Sequence, residues 1–304
     1  MCIAVFQWNP EGATQLLLAA NRDEHFERPT RSMHWWPQAN VLAGRDLKAD
    51  GAWQGVTRRG SFALITNIRN HALRKAGAPS RGEIVRRYLE ETQPAGEFVA
   101  KLAAIADQYE GFNLLCGSIG ANERELWFLN SSEATPRLLD AGLYALSNAS
   151  LDTPWPKITR IKAGFRHALA ERDLNAQNER LFRLLGNTTQ VADRDLPQTG
   201  VPLDWERKLS SIAVRREGYG TRASTVLRIG NGHAEVIELN HSEDANSGER
   251  NDFAFGLQYT SAAALSSPTA IETAARRIAS ATLPFSMAAD SPGISILAKT
   301  NTMS

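Results

Sequence analysis

The order of signals along this 304-residue chain predicts an α+β fold in which antiparallel sheets pack together with helices outside. Strand-like segments come first, then helices, then strands, helices and strands again. That grouping differs from the strand–helix alternation that builds a parallel sheet. No internal repeat occurs at a fixed period. With 42% apolar and 22% charged residues, the composition is that of an ordinary folded domain.

Taken in order, CIAVFQW reads as a strand closed by the turn Asn9-Pro10-Glu11-Gly12, and TQLLLAANRD as the strand that returns from it. The chain therefore begins with a hairpin. NVLAGRD, AWQGVTRRG and SFALITNIR supply further short strands punctuated by glycine. Ser80 followed by Glu83 has the spacing of a capping box and predicts a helix through about Leu89. In GEFVAKLAAIADQY, Phe98, Leu102, Ile105 and Tyr109 fall on one helical stripe. Strands return in FNLLCGSIG, RELWFLN, PRLLDAG and LYALSN. Pro156 suits the first turn of a helix whose apolar stripe is Ile158, Ile161, Phe165 and Leu169, with Lys157, Arg160, Lys162 and Arg166 as a solvated basic face. Short helices are expected in ERLFRLLG and around Trp205, and closing strands in STVLRIG, AEVIELN and FAFGLQY. Residues 261–304 turn rich in Ala, Ser and Thr; they read as a tail with one short helix in IETAARRIASA, set apart from a domain spanning 1–260.

A net charge of +1 gives no footprint for nucleic acid. No segment reaches the roughly 20 apolar residues of a transmembrane helix, and the N-terminus has no basic leader, so a cytoplasmic protein is expected. The phosphate-loop, dinucleotide, zinc-protease, CxxC and GxSxG motifs are missing. Six histidines are scattered without ligand spacing. Neither a metal nor a cofactor is expected.

Cys2 is what remains. A small residue at position two permits removal of Met1, which leaves a thiol and a free α-amine on one carbon. The thiolate is the reactive form, and an α-amine titrating at about 7.7–8.0 can serve as its base. Such chemistry also needs oxyanion donors and a charged partner for the amine. NRDE, at the end of the second strand, offers one: strand alternation puts Asn21 and Asp23 on one face and Arg22 on the other. The expectation is that Asp23 shares the face of Cys2. Cys116, inside FNLLCG, reads as a packed strand residue.

In the order MC, LAANRDE, GRDLKADGAWQGV, LITNIRN, SRGEIVRRYL, YEGFNLLCG, LSNASLDTPWPK and YGTRASTVL, residues 1 to about 259 closely resemble the NRDE family, the group of Transport and Golgi organisation protein 2 and its bacterial relatives. The resemblance implies a four-layer αββα sandwich, two antiparallel sheets flanked by helices, like that of N-terminal-nucleophile hydrolases. The same residues resemble, more weakly, the choloylglycine hydrolase and penicillin V acylase group, which cleaves amides with an N-terminal cysteine. That likeness implies Cys2 as nucleophile, Asp23 as partner of the amine, Asn67 and Asn148 as oxyanion donors, and Arg222 as a late active-site arginine. Where that group carries an earlier arginine, this chain has Ala20, and strand parity argues against Arg22 replacing it. Asn21, Arg22, Arg45 and Trp53 are the candidate substrate contacts.

Two functions follow from the resemblance. One is an amidohydrolase or acyltransferase acting on a small amide or thioester. The other, suggested by the family's links to haem trafficking and to lipid and acyl-CoA metabolism, is a non-catalytic protein that binds an acyl or haem-like ligand on the same fold.

Overall fold

The computed structural model describes residues 2–258 apart from 38, 121–123 and 244–247. The chain separates into Met1–Tyr259 and Thr260–Ser304; the expected tail helix falls in the second unit, outside the described residues.

Strand β1 (Cys2–Trp8) and β2 (Leu16–His25) form the opening hairpin, followed by β3 (Thr30–Trp35), β4 (Val41–Asp46), β5 (Gln54–Thr57) and β6 (Ser61–Asn67). Helices α1 (Gly82–Glu90) and α2 (Ala95–Ala103) come next, then β7 (Phe112–Ile119), β8 (Arg124–Asn130), β9 (Arg137–Leu138) and β10 (Gly142–Leu146). Helices α3 (Pro156–Leu169), α4 (Leu174–Leu185) and α5 (Leu203–Leu209) precede β11 (Arg215–Arg216), β12 (Tyr219–Gly230), β13 (His233–Asn240) and β14 (Arg250–Gly256). One sheet runs β10-β1-β2-β12-β13-β14, with β11 beside β12; the other is a meander from β3 to β9 in chain order. Every strand pair is antiparallel.

The opening strands are apolar on both faces because both faces are covered. Phe6, Trp8, Leu16 and Leu18 pack between the sheets against Leu64, Phe128 and Val236. Ile3, Val5, Leu17 and Ala19 look the other way, onto Ile158, Ile161, Phe165 and Leu181 of α3 and α4. Each such fully buried side chain contributes about 1.5–3 kcal/mol. On the far side, Ile84, Leu89, Phe98 and Leu102 of α1 and α2 cover Ala63, Ile65, Leu114 and Cys116. The result is helix, sheet, sheet, helix: the αββα arrangement expected.

Several local expectations change. The capping box does not close: Arg81 is the N-cap, and the Glu83 carboxylate accepts instead from the Tyr109 hydroxyl at 2.7 Å. Helix α2 stops at Ala103, and α4 starts earlier than its apolar run, at Leu174, where the Asp173 side chain caps the Ala176 N–H. Strand β3 has no clear signal, because Thr30, Arg31, Ser32 and His34 dilute its apolar residues. The basic face of α3 is not all solvated. Lys157 is buried, with Nζ donating to the Leu209 carbonyl at 3.0 Å. Gly51 is required where it stands: a Cβ there would lie 2.5 Å from the backbone of Gly82, where α1 begins.

Candidate active site

The register of the first hairpin decides the site. Cys2 pairs with Arg22, Ile3 with Asn21 and Ala4 with Ala20. Directly paired residues of an antiparallel ladder share a face. Cys2, Ala4, Ala20 and Arg22 therefore look into the space between the sheets, while Asn21 and Asp23 lie toward the helices. This corrects the expectation for NRDE. The alternation of Asn21, Arg22 and Asp23 is as read, but the register assigns Arg22 to the face of Cys2, not Asp23, and the expectation that parity separates Arg22 from Ala20 is wrong. Arg22 also stands on the same face as Ala20, two residues along, so parity does not bar it from supplying the arginine missing there.

Arg22 is buried. Its guanidinium lies over the Trp53 ring at 4.3 Å, and Nη1 donates to Thr30 Oγ1 at 3.4 Å. Asp23 is also buried and accepts from the Thr221 hydroxyl at 2.7 Å. Burial raises its carboxyl above the usual range, opposed by the amino-terminal charge, the Thr221 hydrogen bond and the cations Lys157 and Arg22. Cys2 is half-buried. Burial pushes its thiol up and Asp23 adds to the rise, while the amino-terminal charge, Arg22 and the Asp23 backbone N–H pull it back.

Cys2, Arg22, Asp23, Trp53 and Asn67 line one cleft of about 360 Å³. Six more charged residues border it, Glu24, Arg28, Asp46, Lys75, Arg81 and Glu110, among small and apolar neighbours such as Ala52, Ile65 and Pro79. They come from loops and strand ends distant in the chain, and no motif joins them. Asn67 ends β6. Its side-chain amide makes no hydrogen bond among the described residues, and its carbonyl accepts from Asn148 Nδ2 at 3.0 Å.

The other expected residues stand elsewhere. Asn148 is buried and absent from the cleft lining; with its neighbour Ser147, whose hydroxyl donates to the Cys2 carbonyl at 2.9 Å, it ties the end of β10 to the ends of β1 and β6. Behind them Asn113 donates to Ala149 O and accepts from Asn130, a buried amide chain visible in sequence only as polar letters in apolar strands. Arg222 sits in a bulge of β12 and donates to the carbonyls of His25 and Arg28, clamping the turn after β2. Arg45 pairs with Asp50 at 2.7 Å and stacks on Trp36, outside the cleft. Asn21 Nδ2 donates to Leu185 and Ile212 carbonyls, pinning β2 to the helical layer. Among the described residues no three His, Cys, Asp or Glu come together in a way that could hold a metal ion.

Behind the site, burial and the nearby Arg69 push Lys157 down to about 7, against the pull of Asp23 and Cys2. The unfolded chain keeps this lysine protonated up to its ordinary value near 10.4. Between those values the unfolded state binds more protons, so stability rises with pH. Wild type is expected to gain stability relative to Lys157→Met as pH goes from about 7 to about 10. Urea midpoints of both chains at the two ends of that window measure it; parallel midpoints would refute it.

The family model described as Transport and Golgi organisation 2 matches residues 1–243. The Transport and Golgi organization protein 2 homolog of Bos taurus is 33% identical over 256 residues, 78% of this chain and 92% of that protein. The Homo sapiens homolog is 30% identical over 277 residues, 85% of this chain and 100% of its own. Among solved structures, a mutant of the conjugated bile acid hydrolase from Clostridium perfringens is similar at a TM-score of 0.39 and 10% identity, over 86% of this chain and 97% of that one. No helix among the described residues is long and apolar enough to cross a membrane.

Proposed function

The chain belongs to the Transport and Golgi organisation 2 family, and from that premise we propose that it transfers or hydrolyses the acyl group of a small amide or thioester, with Cys2 as nucleophile after Met1 is removed. The observation that supports this reading is the convergence of Cys2, Arg22, Asp23 and Asn67 on one cleft. The freed α-amine takes the thiol proton, and sulfur attacks the acyl carbon. The resulting oxyanion accepts from the Asn67 amide. Collapse expels the amine or thiol, which leaves with the proton held by the ammonium. Water, deprotonated by the same amine, or another acceptor then releases the acyl group from sulfur. Asp23 stands one residue beyond the Cys2 partner, opposite the point where the new ammonium forms, and holds it. Arg22, held over the Trp53 ring, takes the place of the arginine missing at Ala20.

A second reading is a protein that binds an acyl or haem-like ligand without turnover, acting in its trafficking. It draws on Asn148, whose Nδ2 donates to the Asn67 carbonyl, and on Arg222, whose Nη1 donates to two backbone carbonyls; neither lines the cleft, and Asn67 is the asparagine that does among the described residues. In either reading the acting unit is the domain 1–260 in the cytoplasm, with 261–304 as an appended tail.

Intact-mass analysis before and after brief alkylation at neutral pH separates the two. The catalytic reading expects Met1 to be gone and label to enter Cys2 quickly, with Cys116, fully buried and its thiol raised by burial, left unlabelled. It also expects Arg22→Gln to slow labelling roughly threefold to tenfold, because losing the adjacent cation lowers the thiolate fraction. A retained Met1, or a Cys2 no faster than a free thiol, would select the binding reading.

A further inference from the structure

Beside the Cys2 cleft lies a second cavity of about 160 Å³, and the two share Asn67, Arg81 and Glu110 in their walls. Arg69 and Arg74 complete its cationic lining. Arg69 is the informative member. Its side chain is 4% exposed, and Nη1 donates to Glu206 Oε2 at 3.0 Å. Its guanidinium carbon lies over the Trp155 ring, 4.6 Å from the ring centre. Glu206 has no second oxygen to offer, because Oε1 accepts from the backbone N–H and the hydroxyl of Thr199. Arg69 Nε and Nη2 are therefore buried with no hydrogen-bond partner.

Native proteins rarely leave such groups unmatched. These two N–H groups form one edge of the guanidinium, the fork whose parallel bonds match two oxygens of a carboxylate or phosphate. Arg74 is exposed and makes no ion pair among the described residues, and Arg81 is held by Glu110 at 3.2 Å. Three arginines and Glu110 thus line the cavity, and with Glu206 behind Arg69 the cations outnumber the carboxylates by three to two. Asn67 stands where this cavity meets the Cys2 cleft.

We propose that this cavity is an anion subsite in which the Arg69 fork, with Arg74 and Arg81, holds a carboxylate or phosphate group of the substrate. The part about substrate rests on the acyl-transfer reading: a carbonyl held at Asn67 then has the anionic group of the same molecule a few atoms away. The substrate class is an amide or thioester that carries such a group, not a neutral acyl amide.

The test is calorimetric titration of the full-length protein with glutarate and with inorganic phosphate. Saturable binding of at least one is expected, weakened about tenfold in Arg69→Lys and measurably in Arg74→Ala. Lysine keeps the charge facing Glu206 but has no fork, and Arg74 is exposed, so both variants should melt like wild type. A preference for glutarate identifies a carboxylate, and a preference for phosphate identifies a phosphate. No saturable binding of either anion, or binding unchanged in both variants, overturns the proposal. Neither probe needs the thiol, so Cys2→Ala should bind them as wild type does. An inert Cys2 would remove the acyl-transfer reading and leave the anion subsite standing.

Discussion

Replacing Cys2 by alanine is expected to abolish turnover of any amide or thioester the protein cleaves, by at least ~10³-fold in kcat, while leaving the fold intact. The large effect follows from covalent chemistry: without sulfur no acyl-enzyme forms, and the Asn67 amide alone offers only modest stabilisation of the oxyanion. The small effect on folding follows from position. Cys2 begins an element and is half-buried, so its loss should change stability by no more than ~1 kcal/mol. Matched kinetics and urea curves of Cys2→Ala decide it; full activity in a folded variant would remove the nucleophile from the mechanism. The pH dependence has a definite sign. The free α-amine must be neutral to act as base, so the rate should climb with pH as that amine loses its proton.

Glu206→Ala is expected to cost about 3–5 kcal/mol of stability, because it strands the Arg69 guanidinium in a buried site with none of its charge compensated. The Thr199 backbone N–H and hydroxyl lose their acceptor at the same time. Replacing both partners by apolar residues, R69M with E206L, should recover much of the loss, since no unpaired charge is then left inside. Denaturant midpoints of the single and double variants test this. A single variant within ~1 kcal/mol of wild type would mean that the pair does not hold this part of the chain. The double variant should also lose the anion binding described above, because the fork is gone.

Local chemistry was legible. The apolar runs of β1 and β2, Pro156 at the first turn of α3 and the buried stripe Ile158, Ile161 and Phe165 follow from spacing within a few residues. Cys2 could be named from its place in the chain, Asp23 from the alternation along β2, and Asn67 only through the resemblance; the cleft includes all three, with Trp53 beside them. Most of the charged wall was not legible, since Arg28, Lys75, Arg81 and Glu110 are separated in the chain and no short pattern links them.

From its residues alone the chain determined which segments are strands and helices, and which side chains of β2 share a face, because those properties repeat every two or every 3.6 residues. The tertiary structure alone decided which face of β2 meets Cys2, since register is set by how a hairpin closes and not by alternation along one strand. It turned Lys157 inward toward the Leu209 carbonyl and committed Asn148 and Arg222 to backbone carbonyls. It also joined Arg69 to Glu206 across 137 positions. A buried polar group takes whatever partner the packed layers bring to it, and that partner is not written beside it in the chain.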